Sequence, residues 1–387
     1  MNNSFVHRLL EKELLRTTNL FPVIVLTGPR QSGKTTLCKN LFPGYHYVNL
    51  ERTDVREQIA VSPEQFLKQH SNGIIIDEVQ RYPELFSYIQ VVADETPNSH
   101  FLLTGSSNFA LMEKVTQSLA GRAVTLTLLP FSMKELGERI QSTPTDTLLL
   151  NGGYPAVWAK KIPVQDVSRN YYNTYIERDV RQLLGIKDLI KFQAFIRLCA
   201  GRVGAEWNGS ALSNEVGVSV HTINEWLSVL EASYITFRLP PFFRNVGKRL
   251  IKTPKLYFCD TGLTCFLLGI ESETQLATHP LRGAIFENLI VLEFLKHRFN
   301  EGKLSNLFYY RDKSQHEVDI IQEQGNDLYA YEIKSAKNFH KDFLNNLTYL
   351  KNLLGKSLVS SQLIYDGDRD ILNTDNGMTN FRNIKLA

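Results

Sequence analysis

Only four of the 387 residues are cysteine, and Cys38, Cys199, Cys259 and Cys265 lie far apart, with no Cys-x-x-Cys pair and no histidine at ligand spacing. That scarcity argues against a zinc site and a disulfide framework, and it leaves reduced, mostly buried thiols of a cytoplasmic protein as the expectation. Also missing is any apolar run of about 18 residues, so no membrane-spanning helix is expected. The segment Met1–Leu15 threads charges through its apolar positions and reads as an amphipathic helix, not a signal peptide. Charge of one sign is lacking too: 43 Lys and Arg face 40 Asp and Glu, and a net +3 permits nucleic-acid contact without demanding it. What remains, 43% hydrophobic and 21% charged residues, describes an ordinary globular chain that is too long for one core, so two or three domains are expected.

The most informative stretch runs from the apolar Val23-Ile-Val-Leu into Gly28-Pro29-Arg30-Gln31-Ser32-Gly33-Lys34-Thr35-Thr36. An apolar strand followed by Gly-x-x-x-x-Gly-Lys-Thr and a helix-compatible run is a phosphate loop. Its glycines let successive N–H groups point at a β-phosphate, and the helix offers its positive end. Lys34 then reaches the β- and γ-phosphate oxygens, while the Thr35 hydroxyl ligates Mg²⁺. ATP and Mg²⁺ are therefore the expected cofactors.

A second motif, Gly73-Ile-Ile-Ile-Asp77-Glu78, reads as a buried parallel strand that delivers two carboxylates to the phosphate side of a sheet. Asp77 would hold the Mg²⁺ shell and Glu78 would be the general base for water. A third strand, Phe101-Leu-Leu-Thr104, ends in Gly-Ser106-Ser107-Asn108, where AAA-type ATPases place a group that senses the γ-phosphate. The order alone does not separate Ser106, Ser107 and Asn108. Arg122, just before the strand Val124–Leu129, is the candidate arginine finger or cis sensor, with Arg81 the weaker rival. If Arg122 acts in trans, the protein is a homo-oligomer.

Strands near 22–27, 46–50, 73–77, 100–104 and 123–129 alternate with helical stretches, the pattern of a parallel α/β sheet. The boundaries read as an ATPase core over 1–140, a helical lid over 141–200, a winged helix-turn-helix over 201–268 and a further α/β domain over 269–387. In the lid, Gly152-Gly-Tyr154-Pro155 and Tyr175-Ile-Glu177-Arg178-Asp179-Val-Arg181 stand out, the latter as an ion-paired helix or a phosphate contact. Residues 210–227 carry helix-turn-helix grammar, with Gly217 in the turn and Ser219, His221, Thr222, Asn224 and Glu225 on the exposed face of the second helix. Tyr234–Lys255 reads as a hairpin bearing Arg238, Arg244, Lys248, Arg249, Lys252 and Lys255 and no acid. A basic, aromatic wing favours duplex DNA held by its phosphates.

The C-terminal part holds three β-type runs, with Asp319 on one and Glu332-Ile-Lys334 on the next; in Glu-x-Lys both side chains share a strand face. Glu287, on the helical run before them, supplies a third acid. Carboxylates at Glu287, Asp319 and Glu332 that hold Mg²⁺, with Lys334 beside them, form the arrangement of PD-(D/E)xK nucleases.

Taken together, the phosphate loop, the strand Ile74–Glu78, Tyr154-Pro155, Tyr175–Asp179, Asp260-Thr-Gly-Leu263, Phe286-Glu287 and Glu317-Val-Asp319 with Glu332-Ile-Lys334 resemble the prokaryotic AAA-type ATPases that carry domain of unknown function 4143. The resemblance covers nearly the whole chain and implies an ATPase core, a winged helix and a PD-(D/E)xK-like domain. Here Val318 replaces the proline of the nuclease motif, which removes no ligand. Two functions follow: ATP hydrolysis that licenses Mg²⁺-dependent DNA cleavage, or an ATP-gated DNA- or protein-binding switch with an inactive nuclease-like fold.

Overall fold

The computed structural model describes residues 5–96, 98–106, 118–180, 188–243, 253–371 and 377–386. Its first layer is a five-stranded parallel sheet in the order β2-β3-β4-β1-β5, made of Val23–Thr27 (β1), His46–Asn49 (β2), Ile74–Asp77 (β3), Phe101–Thr104 (β4) and Ala123–Thr127 (β5). Alternation along these strands fills two cores. Val23, Val25, Ile74, Ile76, Phe101 and Leu103 pack on one face, and Ile24, Leu26, Ile75, Leu102 and Leu126 on the other. A sheet buried on both faces explains why β1, β3 and β4 are unbroken apolar runs instead of alternating ones. Because every strand runs the same way, the ends of β1, β3 and β4 share one edge, and the phosphate loop, Asp77 and Ser106 meet there.

After β5, short helices at Thr145–Asn151, Pro155–Trp158 and Val164–Tyr171 lead into a π-helix, Tyr172–Val180. Tyr154, Tyr171 and Tyr175 form a buried aromatic cluster with successive centroids 5.1 and 5.2 Å apart, the first pair tilted and the second edge to face. The helices Leu189–Ala200, Gly209–Val216 and Val220–Ala232 follow. Gly217 turns the second into the third at φ +72°, a left-handed position that suits glycine, and Ser219 caps the third by accepting from the Thr222 N–H at 3.0 Å. The antiparallel pair Thr236–Leu239 (β6) and Lys255–Phe258 (β7) comes next. Arg244, Lys248, Arg249 and Lys252 of the expected wing lie outside the described residues.

A long helix, Arg282–Asn300, packs against a second sheet in the order β12-β11-β10-β9-β8, formed by Leu307–Arg311 (β8), Glu317–Gln324 (β9), Asp327–Lys334 (β10), Leu358–Tyr365 (β11) and Gly377–Asn380 (β12). Strands β8, β9 and β10 are antiparallel neighbours, whereas β10, β11 and β12 run parallel. Among the described residues no helix is long and apolar enough to cross a membrane.

Candidate functional site

The phosphate loop takes the form its sequence requires. Gly28 has φ +142°, and a Cβ there would sit 2.2 Å from the Leu128 carbonyl oxygen, so no other residue fits against that backbone. Gly33, at φ +98°, opens the helix Lys34–Leu41. The Lys34 ammonium is buried and donates to the carbonyls of Gly28 at 2.9 Å and Pro29 at 2.8 Å. Burial pushes its pKa down to about 8, against the pull of Glu78 and Asp77. The hydroxyl of Ser32 is buried with no hydrogen-bond partner, a donor inside the loop that a phosphate oxygen would satisfy.

At the end of β3 three hydroxyls converge on Asp77. Thr35 donates at 2.9 Å, Tyr47 at 3.0 Å, and Thr104 donates to the other carboxylate oxygen. Glu78 follows in a left-handed backbone conformation, φ +56°, unusual for a non-glycine and typical of strained functional positions. Its carboxylate accepts from Ser106 Oγ at 3.2 Å and from the Gln80 amide. Of the three sensor candidates, the structure thus brings Ser106 to Glu78, while Ser107 and Asn108 lie outside the described residues. The site's flank is a cavity of about 290 Å³ lined by Phe5, Val6, Thr36, Leu37, Phe131 and Pro155 among others. Arg8 closes its floor, donating to the carbonyls of Ser32 at 2.9 Å and Leu129 at 2.6 Å and pairing with Glu135 at 3.0 Å.

Arg122 is not brought to this site. It precedes β5, whose start is level with Val23, so it lies at the opposite sheet edge, roughly 16 Å along the strands from the loop. There its guanidinium pairs with Asp94 through both oxygens, at 2.5 and 2.8 Å. This placement removes it as a cis sensor. Arg81 ends a short 3-10 turn after β3 and is exposed.

The C-terminal acids do come together, but around a cation of the chain's own. Lys255 Nζ, buried at 2% exposure, stands 3.0 Å from Glu287, 2.5 Å from Glu317 and 3.8 Å from Asp319. Tyr257 donates to the same Glu287 oxygen at 2.6 Å. Lys334 donates to Glu332 at 2.6 Å, and the Ile333 N–H donates to Asp319 at 2.7 Å. Burial, then repulsion from Glu287 and Glu332, pushes the Asp319 pKa well up. Among the described residues no three carboxylate, histidine or cysteine side chains are set to hold a metal ion, so the Glu287, Asp319 and Glu332 of this arrangement do not fit the Mg²⁺ expected of them. Lys255, which the sequence places on an exposed basic wing, is instead the buried centre of the cluster. Arg238 is paired as well, with Glu231 at 2.6 Å.

Three family descriptions match successive parts of the chain: "AAA domain" over residues 20–137, "Domain of unknown function (DUF8612)" over 142–274 and "Domain of unknown function (DUF4143)" over 282–384. Uncharacterized protein Rv2008c of Mycobacterium tuberculosis is 31% identical over 326 residues, spanning 83% of this chain and 72% of its own length. The chain belongs to the family of AAA-type ATPases with a C-terminal DUF4143 domain. An uncharacterized protein of Haemophilus influenzae is 24% identical over 377 residues, covering 87% of this chain and 88% of that protein. Among solved structures, the Walker-type ATPase PABY2304 of Pyrococcus abyssi is similar over 69% of this chain and 97% of its own, at 16% identity and a TM-score of 0.46.

In this AAA-type ATPase several residues of both sites escaped the motifs. Tyr47 and Thr104 carry no spacing signal, because strand order decides what faces Asp77, and Gln80 reaches Glu78 through the 3-10 turn Val79–Arg81. Tyr175 donates to the Ser106 carbonyl at 3.3 Å, and Arg30 lies over the Tyr175 ring at 5.4 Å, so the π-helix Tyr172–Val180 touches both the phosphate loop and the residues that follow β4. Tyr234, at φ +55°, places its hydroxyl 2.8 Å from that of Thr27, the last residue of β1. Its position at the end of the helix Val220–Ala232 offered no hint of that contact.

Proposed function

We propose that this AAA-type ATPase binds and hydrolyses Mg²⁺-ATP at the phosphate loop and uses nucleotide state to switch engagement of double-stranded DNA by residues 189–258. The observation that carries the first part is the Thr35 hydroxyl seated on Asp77 at 2.9 Å, beside a buried Lys34 that donates to the neutral carbonyls of Gly28 and Pro29. Thr35 and Asp77 fit a hydrated Mg²⁺, which when bound offsets the charge of the β- and γ-phosphates. Lys34 and the N–H groups of Gln31–Thr36 grip the phosphates, and the 290 Å³ cavity takes the base. Glu78, held by Ser106 and Gln80, orients the attacking water and accepts its proton.

The second part rests on the helix pair Gly209–Val216 and Val220–Ala232, whose Ser219, His221, Asn224 and Glu225 are exposed, and on Tyr234, which ties the end of that pair to the strand feeding the phosphate loop. A shift of Thr27 on phosphate binding would be felt at Tyr234. Because Lys255 stands among the C-terminal acids, this reading gives that domain no cleavage step and favours a switch.

The test is ATP turnover by wild type and Lys34→Ala, with fluorescence anisotropy of a labelled duplex in ATP and in ADP over a salt series. Turnover should vanish in Lys34→Ala, and duplex affinity should differ between nucleotides in wild type alone. Equal turnover in both proteins would sink the ATPase reading; equal duplex affinity with either nucleotide would sink the switch.

A further inference from the structure

Arg8 belongs to none of the nucleotide-site motifs, yet its side chain is buried against the phosphate loop. Nη1 donates to the Ser32 carbonyl at 2.9 Å, Nη2 to the Leu129 carbonyl at 2.6 Å and Nε to Glu135 at 3.0 Å, while the guanidinium carbon lies over the Phe131 ring, 4.8 Å from its centroid. The two carbonyls belong to the two ends of the loop. Ser32 directly precedes Gly33, and Leu129 follows Leu128, whose carbonyl oxygen closes on Gly28. One planar fork thus fastens both ends of Gly28–Gly33.

The anchor of that fork is itself fixed. Besides Arg8, Glu135 accepts from the Leu9 N–H at 2.8 Å and, through its other oxygen, from the Ser132 N–H at 2.8 Å. The helix Arg282–Asn300 holds the same segment from the other side: Lys296 donates to the Phe131 carbonyl at 2.8 Å, and the Met133 N–H donates to Glu293 at 2.8 Å. Burying the Arg8–Glu135 pair costs desolvation, which this full set of hydrogen bonds offsets.

The peptide between Ser32 and Gly33 gives the arrangement its chemical sense. In a planar trans peptide the C=O and N–H point opposite ways, so a Ser32 carbonyl fixed on Arg8 turns the Gly33 N–H away from it. Gly33, at φ +98°, has no side chain to hold that plane. A cationic donor on the carbonyl also polarises the peptide and strengthens its N–H as a donor.

We propose that Arg8 is a positioning residue for phosphate binding: it fixes the Ser32–Gly33 peptide so that the Gly33 N–H faces the β-phosphate, without itself touching the phosphates. The inference rests on the phosphate-loop reading and adds to it a residue from outside the motif.

Calorimetric titration of the full chain in Mg²⁺ with pyrophosphate, which has no base, and with adenosine, which has no phosphate, tests it. In Arg8→Met, shown to be folded by circular dichroism, pyrophosphate should bind at least about tenfold more weakly than in wild type, the loss of a charge-assisted bond, while adenosine binds within about twofold. Arg8→Lys should bind pyrophosphate nearly as weakly, because an ammonium keeps the charge but not the fork. Unchanged pyrophosphate affinity in Arg8→Met overturns the proposal, as does full recovery in Arg8→Lys. Adenosine falling as far as pyrophosphate also overturns it, by making Arg8 a wall of the base cavity. If Arg8→Met does not fold, Glu135→Gln decides: by loosening Arg8 it should weaken pyrophosphate at least about threefold, and no change there overturns the proposal. A wild type that binds no pyrophosphate overturns the phosphate-loop reading and this inference with it, whereas wild-type binding that the variants keep overturns this inference alone.

Discussion

Two buried lysines sit among acids at the ends of strands in this AAA-type ATPase, and they differ in what holds them. Among the described residues Lys34 donates to the carbonyls of Gly28 and Pro29 and to no carboxylate, and burial drives its pKa down to about 8. For Lys255 burial acts the same way, yet Glu287, Asp319 and Glu317 outweigh it, and its pKa rises well above the usual lysine value. An ammonium without a hydrogen-bonded counter-ion is a place for an anion to bind; an ammonium ringed by carboxylates is already satisfied. The same residue type thus marks an open site in the N-terminal sheet and a filled one in the C-terminal sheet.

The sharpest break of that contrast is catalytic. Glu78→Gln should lower ATP turnover by about a hundredfold or more, as loss of a general base does, while ATP binding, read by fluorescent-nucleotide titration, stays intact. A variant that turns over normally would leave Glu78 as only the strained end of a strand.

Stability separates the two lysines directly. Lys255→Met should cost about 3 kcal/mol or more in urea unfolding, because it strands buried carboxylates. Lys34→Met should be neutral or stabilising at pH 7, since it removes a cation that burial disfavours. The pH dependence has a definite sign. A lysine whose folded pKa is lowered costs stability fully below about pH 8, and the cost is relieved as pH rises toward 10.5. The advantage of Lys34→Met should therefore shrink between pH 8 and 10.5, and an advantage independent of pH would contradict the assignment.

How legible each site was follows from where its signal lives. Gly28, Gly33, Lys34, Thr35, Asp77 and Glu78 sit in contiguous runs whose spacing is set by one loop and one strand, so sequence was enough to bring them together. β1, β3 and β4 were visible as apolar runs, because a sheet buried on both faces leaves little room for polar residues, whereas the partly exposed edge strand β2 was placed by the alternation of strands with helices. Tyr47 and Thr104 were not visible, since which strand lies beside β3 is a matter of topology. Asp319, Glu332 and Lys334 were found by the period-two rule, and Glu287 by its place before them. Lys255 was misread because a basic residue in a hairpin between other basic residues looks exposed. Only the pairing of β7 with residues 204–206 and its approach to Glu287 reveal it as a buried cation.

Arg122 supplies the mildest test, at the edge of the sheet farthest from the chemistry. Its pair with Asp94 is partly exposed, with side chains at 33% and 48%, so Arg122→Ala should leave the urea-unfolding midpoint nearly unchanged. ATP turnover should be unchanged at every protein concentration if each chain completes its own site with Lys34, Asp77 and Glu78. A tenfold loss that appears only where light scattering shows an oligomer would instead assign Arg122 to a neighbouring copy's nucleotide. In that case the open site described above is finished by a second chain, and its contrast with the self-filled Lys255 centre becomes sharper still.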